Sequence, residues 1–118
     1  MIHVQPLHPA STESDRLTWD VLTERESVRV CPAGSLDMAT APGLRVRLDE
    51  LRHAGFRRLI LDLRRLEFMD SSGLRLMLAL DAEARRDGFS VEVVAGPPAV
   101  QRVFEVTGTA ALLSFAAA

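Results

Sequence analysis

Short apolar runs separated by charge, proline and glycine run through this chain of 118 residues. Leu17–Leu22 and Val28–Cys31 are strand-like runs joined by the charged segment TERES (23–27), which predicts a hairpin. Pro32, Ala33 and Gly34 are expected to end its second strand, since proline cannot donate to a ladder. In TAPGLRVRLDELRHAG (40–55) the residues Leu44, Leu48, Leu51 and Ala54 recur at three- and four-residue steps, the stripe of an amphipathic helix. Thr40 is its expected N-cap, Pro42 fits the first turn and Gly55 suits the C′ position. Leu59–Leu63 reads LILDL, a nearly continuous apolar strand of the kind covered on both faces. A second helix is expected over Ser72–Arg86 with Gly88 as its stop, followed by a strand over Phe89–Ala95. A third helix follows over Pro97–Thr107: prolines open it, Val100, Val103, Phe104 and Thr107 line one face, and Gly108 closes it. Leu112–Phe115 fits either a last short strand or the start of a short helix.

A hairpin followed by helix, strand, helix, strand and helix predicts an α/β fold: a single mixed β-sheet with an N-terminal hairpin and helices packed against it. Right-handed crossovers are expected between its parallel strands. Residues 1–14 carry Pro6, Pro9, Ser11, Thr12 and Ser14 with little periodicity. They are expected to form a flexible N-terminal arm, from which Ile2 and Val4 could add an edge strand. Residues 15–118 are then the folded domain, long enough to bury a core.

Composition narrows the function classes. The chain is 47% apolar and 25% charged with a net charge of −2, and its pI is about 5.9. That leaves no electrostatic footprint for direct nucleic-acid binding. The pairs Arg57-Arg58, Arg64-Arg65 and Arg85-Arg86 read as parts of a solvated mixed-charge surface. The single cysteine, Cys31, cannot close an internal disulfide, which fits a reducing compartment, and its apolar neighbours predict a buried, inert thiol. The start MIHVQPLHPASTESD lacks a basic region followed by an apolar run, so no signal peptide is expected. No apolar stretch approaches the ~20 residues of a membrane span. A cytoplasmic protein without membrane insertion is the expectation. The histidines are His3, His8 and His53, a poor supply of general bases or metal ligands. No G-x-S-x-G elbow surrounds the adjacent serines and no phosphate-binding G-x-x-x-x-G-K-[ST] loop is present. A serine hydrolase, a metal site and a nucleotide cofactor are therefore not expected.

FMDSSG (68–73) stands where the strand-like segment gives way to the second helix. Asp70, Ser71 or Ser72 could each serve only as a cap for orphan N–H groups. On a helical wheel, Leu76, Met77, Leu80 and Ala84 form the core arc. Ser71 falls almost opposite it, with Leu74, Arg75 and Leu78 around it, and Ser72 lies nearer the border. Leu74 and Leu78 are either part of an exposed contact surface or buried under a neighbouring helix or loop. A phosphate on Ser71 would add about −1.5 to −2 charges at a helix N-terminus that favours anions. Arg75 projects back toward it and Asp70 opposes it. The fold is expected to tolerate that charge, while an apolar partner is not.

FMDSSGL after LILDLRRLE closely resembles the STAS domains of bacterial anti-sigma-factor antagonists. GSLDMATAPGLR resembles the G-E-L-D segment before that family's first helix, with Ser35 in place of glutamate. VEVVAGPPAVQRVFEVTG resembles its strand, P-x-V-x-R-x-F/L helix and T/S-G ending. Together the resemblance spans residues from about 17 to 115. It implies a STAS fold and a non-enzymatic regulator that binds an anti-sigma factor with serine kinase activity, excluding the sigma factor. The kinase would phosphorylate Ser71 and release the antagonist, and a PP2C-type phosphatase would restore it. Asp37 and Asp70 match family aspartates near this site, and with Ser72, Leu74, Arg75 and Leu78 they form the expected partner-binding set; a purely solvated role is the alternative for either acid. The chain is expected to be a monomer or weak dimer. Arg75 stands where many members have a small residue, so its kinase contact is expected to be specialised, and Ser35 bears on partner choice. The alternative function is a STAS subunit of a lipid or solute transporter complex.

Overall fold

The computed structural model describes the backbone of residues 3–5 and, in full, residues 14–116. The strands are β1 (His3–Gln5), β2 (Leu17–Glu24), β3 (Ser27–Leu36), β4 (Arg58–Asp62), β5 (Leu66–Met69), β6 (Ser90–Val94) and β7 (Phe115–Ala116). The helices are α1 (Ala41–His53), α2 (Ser71–Asp87) and α3 (Pro98–Thr107), with a 3₁₀ turn at Ala110–Leu112. They form one mixed sheet of order β1-β2-β3-β4-β6-β7, with β5 paired to β3 beyond the end of β4. The β1–β2 and β2–β3 pairs are antiparallel, and the remaining pairs are parallel. β3–β4, β4–β6 and β6–β7 each have a helix between the partners in sequence, the crossover that a parallel pair requires. The edge strand that the sequence allowed near Val4 is β1, while Ile2 and the rest of the expected arm up to residue 13 lie outside the described residues.

The β2–β3 hairpin turns over Arg25, which has φ 55°, and closes on the pair Glu24–Ser27. Contrary to expectation, Pro32 does not end β3; it pairs with Trp19 inside the ladder. In a two-residue hairpin the closing pair is hydrogen-bonded and the bonded pairs then alternate. Trp19–Pro32 therefore falls at a non-bonded pair, and the proline nitrogen faces the other side of β3. There β4 has stopped at Val30–Leu61 and β5 begins only at Gly34–Leu66. Proline occupies the gap between two partners, where no donor is needed. At the start of β5 the register shifts between Gly34 and Ser35. Gly34 has φ 108°, and a Cβ there would lie 2.2 Å from the Arg16 carbonyl oxygen, so this switch of partners requires glycine.

One sheet face is apolar and covered. Leu17, Trp19, Val21, Val28, Val30, Leu59, Leu61, Val91 and Val93 form a single cluster with Leu44, Leu48 and Leu51 of α1 and with the inner faces of α2 and α3. The expectation that LILDL is covered on both sides holds only in part. Leu59, Leu61 and Leu63 are buried, but Ile60 on the opposite face is partly open. Asp62, on that face, is buried by arginines: Arg64 donates from Nε and Nη2 at 3.0 and 2.7 Å and Arg29 from Nη1 at 3.1 Å. The Arg64 hydrogen bonds, outweighing desolvation and aided by Arg29, hold the Asp62 carboxyl below its ordinary range. Cys31 is buried as expected, and desolvation followed by the Asp62 charge pushes its thiol up, away from thiolate chemistry.

The helices follow the periodicities with local differences. Ala54 and Thr107, expected on inner faces, are exposed. Ala54 is already the C-cap of α1, with Gly55 at φ 105° after it, and the Thr107 hydroxyl donates to the Val103 carbonyl at 2.6 Å. α1 and α2 are clamped at their surfaces by Glu83, which accepts from Arg45 at 2.7 Å and from Arg52 at 2.8 Å.

Candidate functional site

Parallel strands β3 and β5 end side by side, with Leu36 opposite Met69; β5 leads through its cap directly into α2, and β3 reaches α1 through the turn over 37–40. The Asp70 N–H donates to the Leu36 carbonyl at 3.1 Å, so Asp37 and Asp70 both leave the same sheet edge. The carboxyl ends of parallel strands are where α/β folds commonly place function. Here that edge carries the whole DSSG turn.

Two residues of the turn are structural. Asp70 is the N-cap of α2, in extended conformation, and its Oδ1 accepts from the Ser72 N–H at 2.7 Å. Gly73 faces the core: a Cβ there would lie 2.6 Å from Met69 Cγ and 2.9 Å from Leu36 Cδ2. The first turn of α2 can therefore rest directly on the ends of β3 and β5. The helix starts at Ser71, one residue before the expected Ser72.

The serines between them are not needed for capping. Ser71 is exposed and Ser72 half-buried. Arg75, one turn on, reaches back to both: Nη1 donates to Ser71 Oγ at 3.2 Å and Nη2 to Ser72 Oγ at 3.3 Å. This is the geometry expected for Ser71 and Arg75, with the hydroxyl outward and the guanidinium over it.

Asp37 organises the neighbouring turn. Its Oδ1 accepts from the N–H groups of Ala39 at 2.9 Å and Thr40 at 3.2 Å, and its Oδ2 is ion-paired with Arg16. Desolvation pushes the Asp37 carboxyl up, but the Arg16 guanidinium and these two N–H groups more than reverse it and leave it below the ordinary range. Thr40 occupies the N-cap position of α1 without capping it by side chain. Its hydroxyl instead donates to the Ser35 carbonyl at 2.7 Å and accepts from the Asp37 N–H at 2.9 Å, because Asp37 already serves the N–H groups of the turn.

Leu74 is corrected by the structure. It is only 5% exposed and belongs to the core, and Leu78 is half-buried against the same core. The wheel showed these residues outside the arc of Leu76, Met77, Leu80 and Ala84, but it could not show what lies on that flank. α3 contacts α2, and Arg85 on the Leu78 flank reaches the Leu112 carbonyl at 3.5 Å. Leu74 belongs to, and Leu78 packs against, the cluster that also holds Val100, Phe104 and Leu113 from the C-terminal part of the chain.

The apolar side chains that remain open near the serines were not singled out from the sequence. Met38 directly follows Asp37 and is 77% exposed, and Phe68 on β5 pairs with Ser35 and is 50% exposed. A lone methionine inside a strand-to-helix turn was the available signal for the first. Phe68 was hidden because β5 itself was not foreseen. Among the described residues no group of acidic, histidine and cysteine side chains could hold a metal ion, and no helix is long and apolar enough to cross a membrane.

A small α/β domain whose parallel strand pair delivers a DSSG turn to an exposed helix start is a STAS domain. The family model described as "Mlab, STAS domain" matches residues 19–114, and the chain belongs to this family. A putative anti-sigma factor antagonist, BtrV, from Bordetella bronchiseptica is 33% identical over 66% of this chain and 67% of its own length. An anti-sigma-B factor antagonist from Staphylococcus aureus is 27% identical over 78% of this chain and 85% of its own. Among solved structures, an anti-sigma factor antagonist from Mycobacterium paratuberculosis superposes with a TM-score of 0.74 at 29% identity, covering 87% of each chain. Unphosphorylated SpoIIAA, also an anti-sigma factor antagonist, gives 0.70 at 26% identity over 84% of this chain and 88% of that one.

Proposed function

We propose that this protein is an anti-sigma-factor antagonist of the SpoIIAA type. It binds an anti-sigma factor with serine kinase activity through the surface at the start of α2, and phosphorylation of Ser71 ends that binding. A PP2C-type phosphatase reverses the mark. The domain responsible spans 15–118, with β1 of the N-terminal arm added at its edge. The observation that carries this reading is the exposed Ser71, whose hydroxyl is not needed as a cap because Asp70 and Gly73 supply what the helix start requires. Met38 and Phe68 take the place of Leu74 as apolar anchors of the contact surface, beside Asp37, Asp70, Ser72 and Arg75, with Leu78 at its margin. The kinase transfers the γ-phosphoryl group of ATP to Ser71 Oγ: the new O–P bond replaces the bond to ADP, and the hydroxyl proton passes to a base on the kinase.

A hydrolytic role for the serine finds no histidine base beside it among the described residues. His53, the histidine whose side chain is described, sits in the last turn of α1 and bonds the Asp49 carbonyl through Nδ1. It is some 18 Å along the helix from the turn that holds Asp37, at ~1.5 Å per residue. The test is incubation with ATP and the serine-kinase anti-sigma factors of the same genome, followed by mapping of the modified residue. Label on Ser71, absent from Ser71→Ala although that variant still binds, supports the reading; label on another residue overturns it. Ser71→Asp is expected to weaken binding with an unchanged melting temperature. Co-purification with an ABC-type ATPase instead of a kinase would favour the transporter-subunit alternative.

A further inference from the structure

Arginines that face carboxylates are the rule on this molecule: Arg16, Arg29, Arg45, Arg47, Arg52, Arg58, Arg64, Arg65, Arg85 and Arg86 each form an ion pair. Arg75 differs. Among the described residues it has no ion pair, and its two terminal nitrogens are spread over the hydroxyls of Ser71 and Ser72. Asp70 is near in sequence but is turned to the Ser72 N–H as the helix cap. Hydroxyls are weak partners for a guanidinium, whose planar fork matches the paired oxygens of a phosphate. The i, i+4 spacing from Ser71 to Arg75 puts both side chains on one helix face.

We propose that Arg75 is the internal counter-charge of phosphorylated Ser71: on modification its guanidinium leaves the Ser72 hydroxyl and closes on the phosphate. This rests on the reading of Ser71 as the modified residue and specifies how the mark acts. The modified surface gains a phosphate and at the same time loses a free cation, so a partner that uses the Arg75 guanidinium is refused twice by one event. A carboxylate at position 71 offers less charge than phosphate, so Ser71→Asp reproduces only part of the effect. Arg75 is a positioning residue here, acting through the phosphate it holds.

The test places phosphoserine at position 71 of the full chain by codon-reassigned translation, so that no kinase is involved, and follows the ³¹P resonance from roughly pH 4 to 8, around the second phosphate pKa. The charged groups on the segments that adjoin the phosphate are Asp70 at the helix cap and, on the turn after β3, Asp37 with its partner Arg16. They are common to every variant, so differences report position 75. With Arg75 the second phosphate pKa is expected to lie below that of Arg75→Ala by roughly half a unit or more, the modest size reflecting an exposed pair. Arg75→Lys, which keeps the charge but loses the fork, is expected to fall between them. Equal pKa values in the arginine and alanine proteins overturn the proposal. Circular dichroism of the same samples checks that α2 is retained, and a simple helix-stabilising role for Arg75 would not move the phosphate titration. A kinase that labels some other residue in the separate assay would count against the Ser71 reading, whereas an insensitive phosphate counts against Arg75 alone.

Discussion

Gly73 shows how a single missing side chain sets the geometry of this site. A Cβ on it would lie 2.6 Å from Met69 Cγ and 2.9 Å from Leu36 Cδ2, and both neighbours are buried, so a methyl group fits in the first turn of α2 only if packed side chains shift. Gly73→Ala improves intrinsic helix propensity by about 1 kcal/mol but inserts an atom into packed neighbours. Overpacking of this kind typically costs about 1–3 kcal/mol, and the clash involves Cγ of Met69 as well as the end of Leu36. Gly73→Ala is therefore expected to lower stability in urea titration despite its better propensity. A variant as stable as the parent would show that the helix start can shift away from the strands. Asp70 behaves in the ordinary way for a cap: Asp70→Ala is expected to cost about 1 kcal/mol, read as a lower urea midpoint.

Around the start of α2 the core and the proposed contact surface fall on different side chains. Leu74 lies in the core, so Leu74→Ala is expected to cost about 2–5 kcal/mol of stability and to affect binding only through loss of folded protein. Phe68→Ser and Met38→Ser remove exposed side chains and are expected to weaken partner binding several-fold while shifting the urea midpoint little. Parallel urea and binding titrations compare the variants; the opposite ranking would return Leu74 to the contact surface. The periodicity of LDELRH and LMLALDAEA, with glycines after both, made the helices legible. β5 was not, because its four residues LEFM bury only the two ends and carry no alternating signal. Pro32 misled for a related reason. Proline reports that one donor is missing, but not whether any neighbour asks for it, and here the answer depends on β4 stopping before β5 starts. The orientation of Ser71 followed from angular position alone, whereas the burial of Leu74 depended on how α2 packs into the common core, which no local pattern contains.

Two carboxylates held by arginines are expected to contribute to the molecule's response to acid. One face is closed by helices and holds the apolar cluster; the other carries Asp62, sealed by Arg29 and Arg64 and only 4% exposed. Both Asp62 and Asp37 have carboxyls held below their ordinary range, the first mainly by Arg64 and the second by Arg16 and backbone N–H groups acting against desolvation. A depressed folded-state pKa means that the unfolded chain binds the proton more readily. The stability each group contributes is fully present above the unfolded value of about 3.9 and is lost as pH falls through the lower folded value. Urea midpoints are therefore expected to be insensitive to these two groups near neutrality and to fall below about pH 4. Asp62→Asn leaves Arg29 and Arg64 without their shared anion, lowering the midpoint at neutral pH, and removes the proton that Asp62 would take up. The midpoint of that variant should therefore fall less steeply over the same acidic window, with Asp37 supplying what slope remains. Parallel curves for parent and Asp62→Asn would place the acid sensitivity elsewhere and mean that the arginine-sealed carboxylate does not couple protonation to unfolding.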